Sequence, residues 1–549
     1  MKMPKQGFWR GTLVLTGSAL AAKLLGALFR IPLTAQLGGA GMGCFGSAYG
    51  LFMPLYALLV TGLSTAVARP AAALQGNPAA AGRLLTTARR FALAAGLGGT
   101  LAAAGLSGVF LKLTGSTPEA LPSMLALSPA VLLCCLSAVE RGFREGQCRM
   151  EPTALSQLAE ALVKLIAGLT LAGLWMRRPP AFLANYSPAA AGACGAVTGV
   201  TLSTLAGWLV LLRREPEQPP VCGTLPADSS APLRLILQIL IPAALSALVT
   251  ELTALTDLLT MQRLFSRMLA ENQTAFYALV QLSRTVPPQD APAFVYGSYM
   301  GLAVTVAGLV PNLAAMPARA VLPCTAQAWE SGDRQTAAAY ARQVLSLTLM
   351  AAVPAGCGLL VLPDGALQFL FAGRLAEIRA AAGALRYLVP GMVCLCLTVP
   401  AFSLLQAAGR ADLPVKLMLP GAAVKLAGNL VLLPVMGTAG AALSTSISYG
   451  VILLCALHAM QGVFGCRMLL PGSLVRMLYG GVLCGASAWL CYTRLNCLLP
   501  QRAAFLAAVA AGVGSYVPAL RLSRPAADKS PKQSSDRFGE KSVYKRNVI

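Results

Sequence analysis

The chain has 549 residues, 56% of them hydrophobic and 11% charged, where a soluble domain carries about 25% charged residues, and this excludes water as its main solvent. A formal charge of +23 could point to nucleic acid, but the Lys and Arg residues lie between apolar runs rather than interleaved with aromatics along a basic face, which excludes that partner. Fifteen cysteines are scattered without metal-ligand spacing, several inside apolar runs (Cys134, Cys135, Cys394, Cys396), and His458 is the single histidine, so neither a metal nor a cofactor is expected.

Apolar runs recur from Gly11 to Leu520. A spanning helix needs roughly 20 apolar residues, and dividing the chain at charges, prolines and polar clusters predicts about fourteen. They cover 11–36, 46–68, 91–112, 122–140, 152–175, 188–212, 233–260, 295–317, 343–362, 384–407, 414–434, 439–460, 475–493 and 503–520. The fold class expected is an all-α integral membrane protein. Lys2, Lys5 and Arg10 followed by Ala19 and Ala21 resemble a cleavable leader, yet the helical pattern continues to Gln36, too far for a leader core.

Residues 213–232 are rich in Pro and polar residues and read as a cytoplasmic linker, dividing a first six-helix half (1–212) from a second (233–460). Two additional spans would follow in 461–520, and 521–549 reads as a basic disordered tail with 8 Lys or Arg against 3 acids. With charges at span ends assigned to the adjoining loops, 28 of the 43 Lys and Arg fall on the N-terminal side of the membrane, 11 on the other and 4 within spans. Cytoplasmic segments retain positive charge, so both termini are expected in the cytoplasm.

Four bases remain at membrane depth: Lys23 and Arg30 in the first span, Lys164 in the fifth and Lys425 in the eleventh. Each costs at least ~2.5 kcal/mol there and asks for a partner or a ligand. Lys23 and Arg30 are seven residues apart and share a helix face, and Lys23, Lys164 and Lys425 each lie ~17–18 Å from the predicted cytoplasmic ends. A shared interior cavity, wet or holding an anionic ligand, accounts for them. Internal pairing is the competing explanation, with Glu160 one turn before Lys164, and Glu251 and Asp257 in the seventh span available to Lys23 or Arg30. Prolines at 32, 54, 311, 317, 390, 400 and 420 permit bending but are ordinary in membrane helices.

Several segments resemble the stage V sporulation protein B group of polysaccharide transporters. They are KLLGALFRIPLTAQLG (Lys23 to Gly38), RGFREGQCRMEPTALSQLAEALVKL (Arg141 to Leu165), LTDLLTMQRL (Leu255 to Leu264), and LLQAAGRADLP followed by KLAGNLVLLPVMGTAGAALSTSISYG (Leu404 to Gly450). The most specific part is the motif on Arg141, Gly142, Gly146, Met150, Pro152, Thr153, Ala154, Ser156 and Gln157. Departures are Glu145, where the group commonly has glutamine, and the seven-residue spacing of Lys23 and Arg30, where the related lipid II flippases are expected to have six. The resemblance places the chain in the multidrug, oligosaccharidyl-lipid and polysaccharide exporter superfamily, whose members have 12 to 14 spans in two six-helix halves. It implies flipping of a polyprenyl-pyrophosphate-linked saccharide by alternating access in the bacterial cytoplasmic membrane, with the lipid-linked saccharide and membrane lipids as partners of a monomer. Lys23, Arg30, Lys164 and Lys425 would contact substrate, with Glu160, Glu251 and Asp257 as ion-pair or coupling residues.

Two other functions compete. A cation-coupled multidrug exporter of the same superfamily would need acids in the cavity, where this chain shows bases at mid-depth. A polytopic enzyme would need a cluster of acids, histidines or metal ligands in a sizeable loop, which the sequence lacks.

Overall fold

A computed structural model of the chain describes residues 5–522 apart from 75–76, 148, 214–229, 283–285, 315–324, 326, 411 and 470, and leaves out the side chains of residues 5–16 and of some others inside helices, Lys23 among them. The predicted linker and tail therefore lie almost wholly outside the described residues. Within them the chain is all-α, without a strand.

The first helix, α1 (Lys5–Leu59), runs for 55 residues and is broken at Gly38, where φ is 65° and ψ is −170°. An unbroken helix of that length would be ~80 Å long against a bilayer core of ~30 Å, so the break is what lets one run cross twice. Glycine alone adopts that backbone conformation without strain. The carbonyls that the break frees are taken by Arg374, whose Nε and Nη2 donate to the Ala35 carbonyl (2.9 and 2.7 Å) and whose Nη2 donates to that of Gln36 (2.8 Å). The second span, expected from residue 46, thus begins at Gly39. The residues between are small rather than polar, and hydropathy shows no gap there.

Next come α2 (Leu63–Ala73), α3 (Pro78–Thr114), α4 (Leu121–Gly146), α5 (Glu151–Arg177) and α6 (Pro188–Arg213). The α3 start is local chemistry, with Pro78 in the first turn and Asn77 Oδ1 accepting from Ala80 N at 3.1 Å. The chain continues through α7 (Ser230–Glu271), α8 (Gln273–Leu279) and α9 (Ala291–Ser298), then a π turn at Tyr299–Ala303 and α10 (Val304–Ala314). The last helices are α11 (Arg334–Val361), α12 (Pro363–Leu370), α13 (Leu375–Ala407), α14 (Leu413–Met436), α15 (Thr438–Phe464), α16 (Pro471–Leu495) and α17 (Gln501–Leu522).

Among the described residues eleven helices are long and apolar enough to cross a membrane. Among the described residues each of the fourteen expected segments falls mainly on helix, but the first two form a single run (Leu24–Ala73), α7 contributes only the short apolar stretch Leu233–Leu245, and α17 is not among the eleven. Leu101, Val435 and Leu454 are 71, 72 and 69% exposed on these helices, a surface that suits acyl chains and would aggregate in water.

Small residues bring the backbones together, as expected where lipid removes the hydrophobic drive between helices. A Cβ on Gly195 would lie 2.5 Å from the Leu171 carbonyl, which joins α6 to α5, and one on Gly39 would lie 2.8 Å from that of Phe294, which joins α1 to α9. Gly142 and Gly146 press in the same way on Ser64 and Ala68 of α2. One buried cluster runs through α1–α10 and into α12–α15, and another joins α11, α13 and α15, with Leu413 and Leu417 of α14 packed against it. The last two helices pack on α11, with Tyr516 Oη donating to the Met350 carbonyl at 3.1 Å. Helix α7 packs on α14 and also on α1, α2 and α3.

Candidate functional site

The charges at membrane depth divide into a paired set and an unpaired set. Arg30, on the first arm of α1, donates from Nη2 to the Met300 carbonyl at 3.3 Å. Met300 belongs to the π turn, whose irregular ladder also offers the Gly301 carbonyl to Thr34 Oγ1 at 3.3 Å. Thr34 Oγ1 donates to the Arg30 carbonyl as well, at 2.9 Å. Arg30 Nε is buried with no acceptor among the described residues. Tyr49 and Tyr296 lie within electrostatic reach of the guanidinium, and no carboxylate pairs with it there.

Lys164 on α5 faces the same region. Its Nζ donates to Tyr49 Oη at 3.4 Å and lies 5.2 Å from the centre of the Phe29 ring and 5.8 Å from that of Tyr49. The i,i+4 pair with Glu160, the competing explanation for this base, does not form. Glu160 Oε2 instead accepts from Arg141 Nη2 at 2.7 Å, a cross-helix contact from α4. Arg141 also donates from Nη2 and Nε to Ser156 Oγ (2.8 and 3.2 Å), and the Ser156 hydroxyl in turn donates to the Gly207 carbonyl at 2.9 Å. The planar guanidinium fork reaches a carboxylate and a hydroxyl together, which a lysine point charge cannot match. Glu140 is held likewise between Arg89 (2.6 Å) and Arg144 (2.9 Å).

Lys425 departs further from expectation. Rather than facing a shared cavity it is buried, its side chain 5% exposed, with Nζ 2.9 Å from Asp257 Oδ2. Asp257 therefore serves Lys425, and no ion pair joins it to Arg30. Asn429, one turn along α14, donates from Nδ2 to Asp257 Oδ1 (3.0 Å) and to Thr260 Oγ1 (2.8 Å), so both carboxylate oxygens are satisfied. Glu251 is half-buried on the same α7, within electrostatic reach of Tyr449. Lys23 lies in helical α1, but its side chain is outside the described residues. Among the described residues no three His, Cys, Asp or Glu side chains are placed to hold a metal ion.

Residues 124–493 match the family model described as Lipid II flippase MurJ. The chain belongs to the MurJ lipid II flippase family. The range matched by the MurJ model includes Glu160, Lys164, Glu251, Asp257 and Lys425, while Lys23 and Arg30 precede it. The chain is also 26% identical over 170 residues to stage V sporulation protein B of Bacillus subtilis (strain 168), a stretch covering 30% of this chain and 32% of that relative's length. Among solved structures, a lipid II flippase MurJ in an inward closed conformation matches with a TM-score of 0.65 at 14% identity, over 93% of this chain and 98% of its own. An inward-facing multidrug resistance transporter of the MATE family matches with a TM-score of 0.57 at 17% identity, over 80% and 95%. At these identities the structural matches establish a common fold. The resemblance read from the sequence is thereby upheld, and the MurJ family is one of membrane transporters.

In this MurJ-family chain the motif at 141–157 is a fastening between α2, α4, α5 and α6. Its glycines admit α2, and Arg141 and Ser156 tie α4 to α5 and α6. Sequence reasoning assigned Arg141 to a loop and passed over Tyr49, Thr260, Asn429 and Arg374. The i,i+4 spacing of Lys425 and Asn429 and the i,i+3 spacing of Asp257 and Thr260 were the available signals for two of them.

Proposed function

We propose that this chain carries a polyprenyl-pyrophosphate-linked saccharide, a cell-wall, capsule or spore precursor, across the bacterial cytoplasmic membrane by alternating access. The observation that carries the reading is that Arg30 and Lys164, at membrane depth, have no acidic partner among the described residues, and that a buried donor of Arg30 has no acceptor there. Cations so placed suit a pyrophosphate, where each charge-assisted hydrogen bond contributes roughly 1.5–3 kcal/mol. Lys23, on the Arg30 face of α1, joins them in this reading. Lys425 is assigned to the ion pair with Asp257 instead. Family membership and the name of the relative in Bacillus subtilis support the lipid-linked substrate. The two bundles that would rock are α1–α6 and α7–α15, with α16 and α17 added beside α11, and both termini lie in the cytoplasm.

The test is translocation of lipid II by the full chain in proteoliposomes. Arg30→Gln and Lys164→Gln are expected to abolish it while folded yield stays normal, and normal transport by either well-folded variant refutes its role. Gradient-driven efflux of cationic dyes would favour a multidrug exporter. A reporter fused after Arg214 is expected to read as cytoplasmic and one between Gln273 and Asp290 as external.

A further inference from the structure

Four aromatic side chains follow one another down the second arm of α1: Phe45, Tyr49, Phe52 and Tyr56. Spacings of four, three and four residues put them on one helix face. Their rings meet in series, with centroids 4.6 Å apart for Phe45 and Tyr49, 6.1 Å for Tyr49 and Phe52, and 5.7 Å for Phe52 and Tyr56. At 1.5 Å per residue the ladder is ~16 Å long. Phe45 and Phe52 are buried, whereas Tyr49 and Tyr56 are half-buried. The hydrocarbon rings thus back the two phenols, which remain partly open.

What the phenols face is settled by α5. Leu155, Leu162 and Ile166 are exposed on one side of that helix (39, 45 and 62%) and look toward lipid. Glu160 and Lys164 lie on the opposite side, ~180° away at 100° per residue. Yet the Glu160 side chain is itself 31% exposed and its partner Arg141 18%. A charged pair open on the side away from lipid must adjoin water or a polar ligand. Tyr49 reaches Lys164 directly, and Tyr56 lies within electrostatic reach of Glu160 and Arg141. One wall of the interior therefore consists of two phenol rings, a carboxylate–guanidinium pair and, at one end, an ammonium that meets no acid among the described residues.

A pyranose has apolar C–H faces that stack on flat rings and a rim of hydroxyls that both donate and accept. Aromatic lining with a few fixed polar groups is how binding sites meet such a shape. An organic cation would also favour the ring faces, but Lys164 repels it. We infer that Tyr49 and Tyr56, with the Arg141–Glu160 pair, form the saccharide-binding surface of this transporter and set which saccharide it accepts, adjoining the pyrophosphate at Lys164. The inference rests on the function proposed above.

It is tested with the full chain in nanodiscs by titrating two probes, undecaprenyl pyrophosphate and lipid II, against Tyr49→Leu, Tyr56→Leu, their Tyr→Phe counterparts and Lys164→Gln. The wild type should bind lipid II more tightly than undecaprenyl pyrophosphate. Tyr56→Leu and Tyr49→Leu should weaken lipid II by about tenfold, a loss of ~1.4 kcal/mol, and change undecaprenyl pyrophosphate less than about twofold. Lys164→Gln should weaken both. The Phe variants keep the packing, so a smaller loss confined to lipid II is expected where a Leu variant does not fold. Equal losses for both probes, no loss for either, or a wild type that gains nothing from the saccharide overturns the inference. A wild type that binds neither probe refutes the proposed function itself.

Discussion

Removing Lys425 should destabilise the protein more than removing any exposed charge, and removing Asp257 with it should restore most of the loss. The pair joins α14 to α7 at 2.9 Å, with the two side chains 5 and 7% exposed. In Lys425→Met the Asp257 carboxylate keeps one neutral donor, Asn429 Nδ2, and loses its counter-charge. Breaking a buried pair from one side costs about 3–5 kcal/mol, since the remaining charge has neither water nor partner. Asp257→Asn strands the ammonium with a similar penalty. The double variant Asp257→Asn/Lys425→Met buries only neutral groups, and the coupling between the two sites should be roughly 3 kcal/mol. Asn429→Ala, which leaves Asp257 Oδ1 and Thr260 Oγ1 short of a donor, should lose less, about 1–3 kcal/mol. Detergent-purified variants are compared by thermal melting and by fraction folded against denaturant. Single variants within about 1 kcal/mol of wild type, or a double variant as unstable as the sum of the singles, would refute this account of the pair.

Gly297→Ala places a methyl group against the Gly39 backbone, where α9 meets α1, and should lower the melting temperature and folded yield more than Gly308→Ala, whose Cβ meets nothing. Asp333 caps α11 by accepting from Thr336 N at 3.0 Å, and hydrogen bonds from the Thr336 hydroxyl and then its amide hold the carboxyl below the usual range. Its folded pKa is depressed, so the cap contributes above the unfolded carboxyl pKa and is lost as pH falls through the lower folded value. The protection of the Thr336 amide, its exchange rate referred to the intrinsic rate at each pH, should fall over that acid range in the wild type and stay level with pH in Asp333→Asn.

The positions of the helices were legible because a bilayer leaves the backbone no other way to satisfy its N–H and C=O groups. An apolar run of about 20 residues must close its hydrogen bonds within itself, and local composition is then enough. The break at Gly38 escaped for the converse reason, since a run of small residues interrupts the backbone without interrupting the hydropathy. Membrane-depth charges were legible as anomalies too: Arg30 and Lys164 meet no acid among the described residues, and Asp257 and Lys425 form a buried pair.

Their partners were decided by tertiary structure. Lys164 and Glu160 share a helix face one turn apart, yet Arg141 takes the carboxylate from α4 with a fork that also holds Ser156. Asp257 and Lys425 are 168 residues apart and meet only because α7 lies along α14. Sequence spacing tells which side chains share a face of one helix. Which other helix that face meets depends on close backbone packing through residues such as Gly39, Gly142 and Gly195, and that packing decides which charges find a partner.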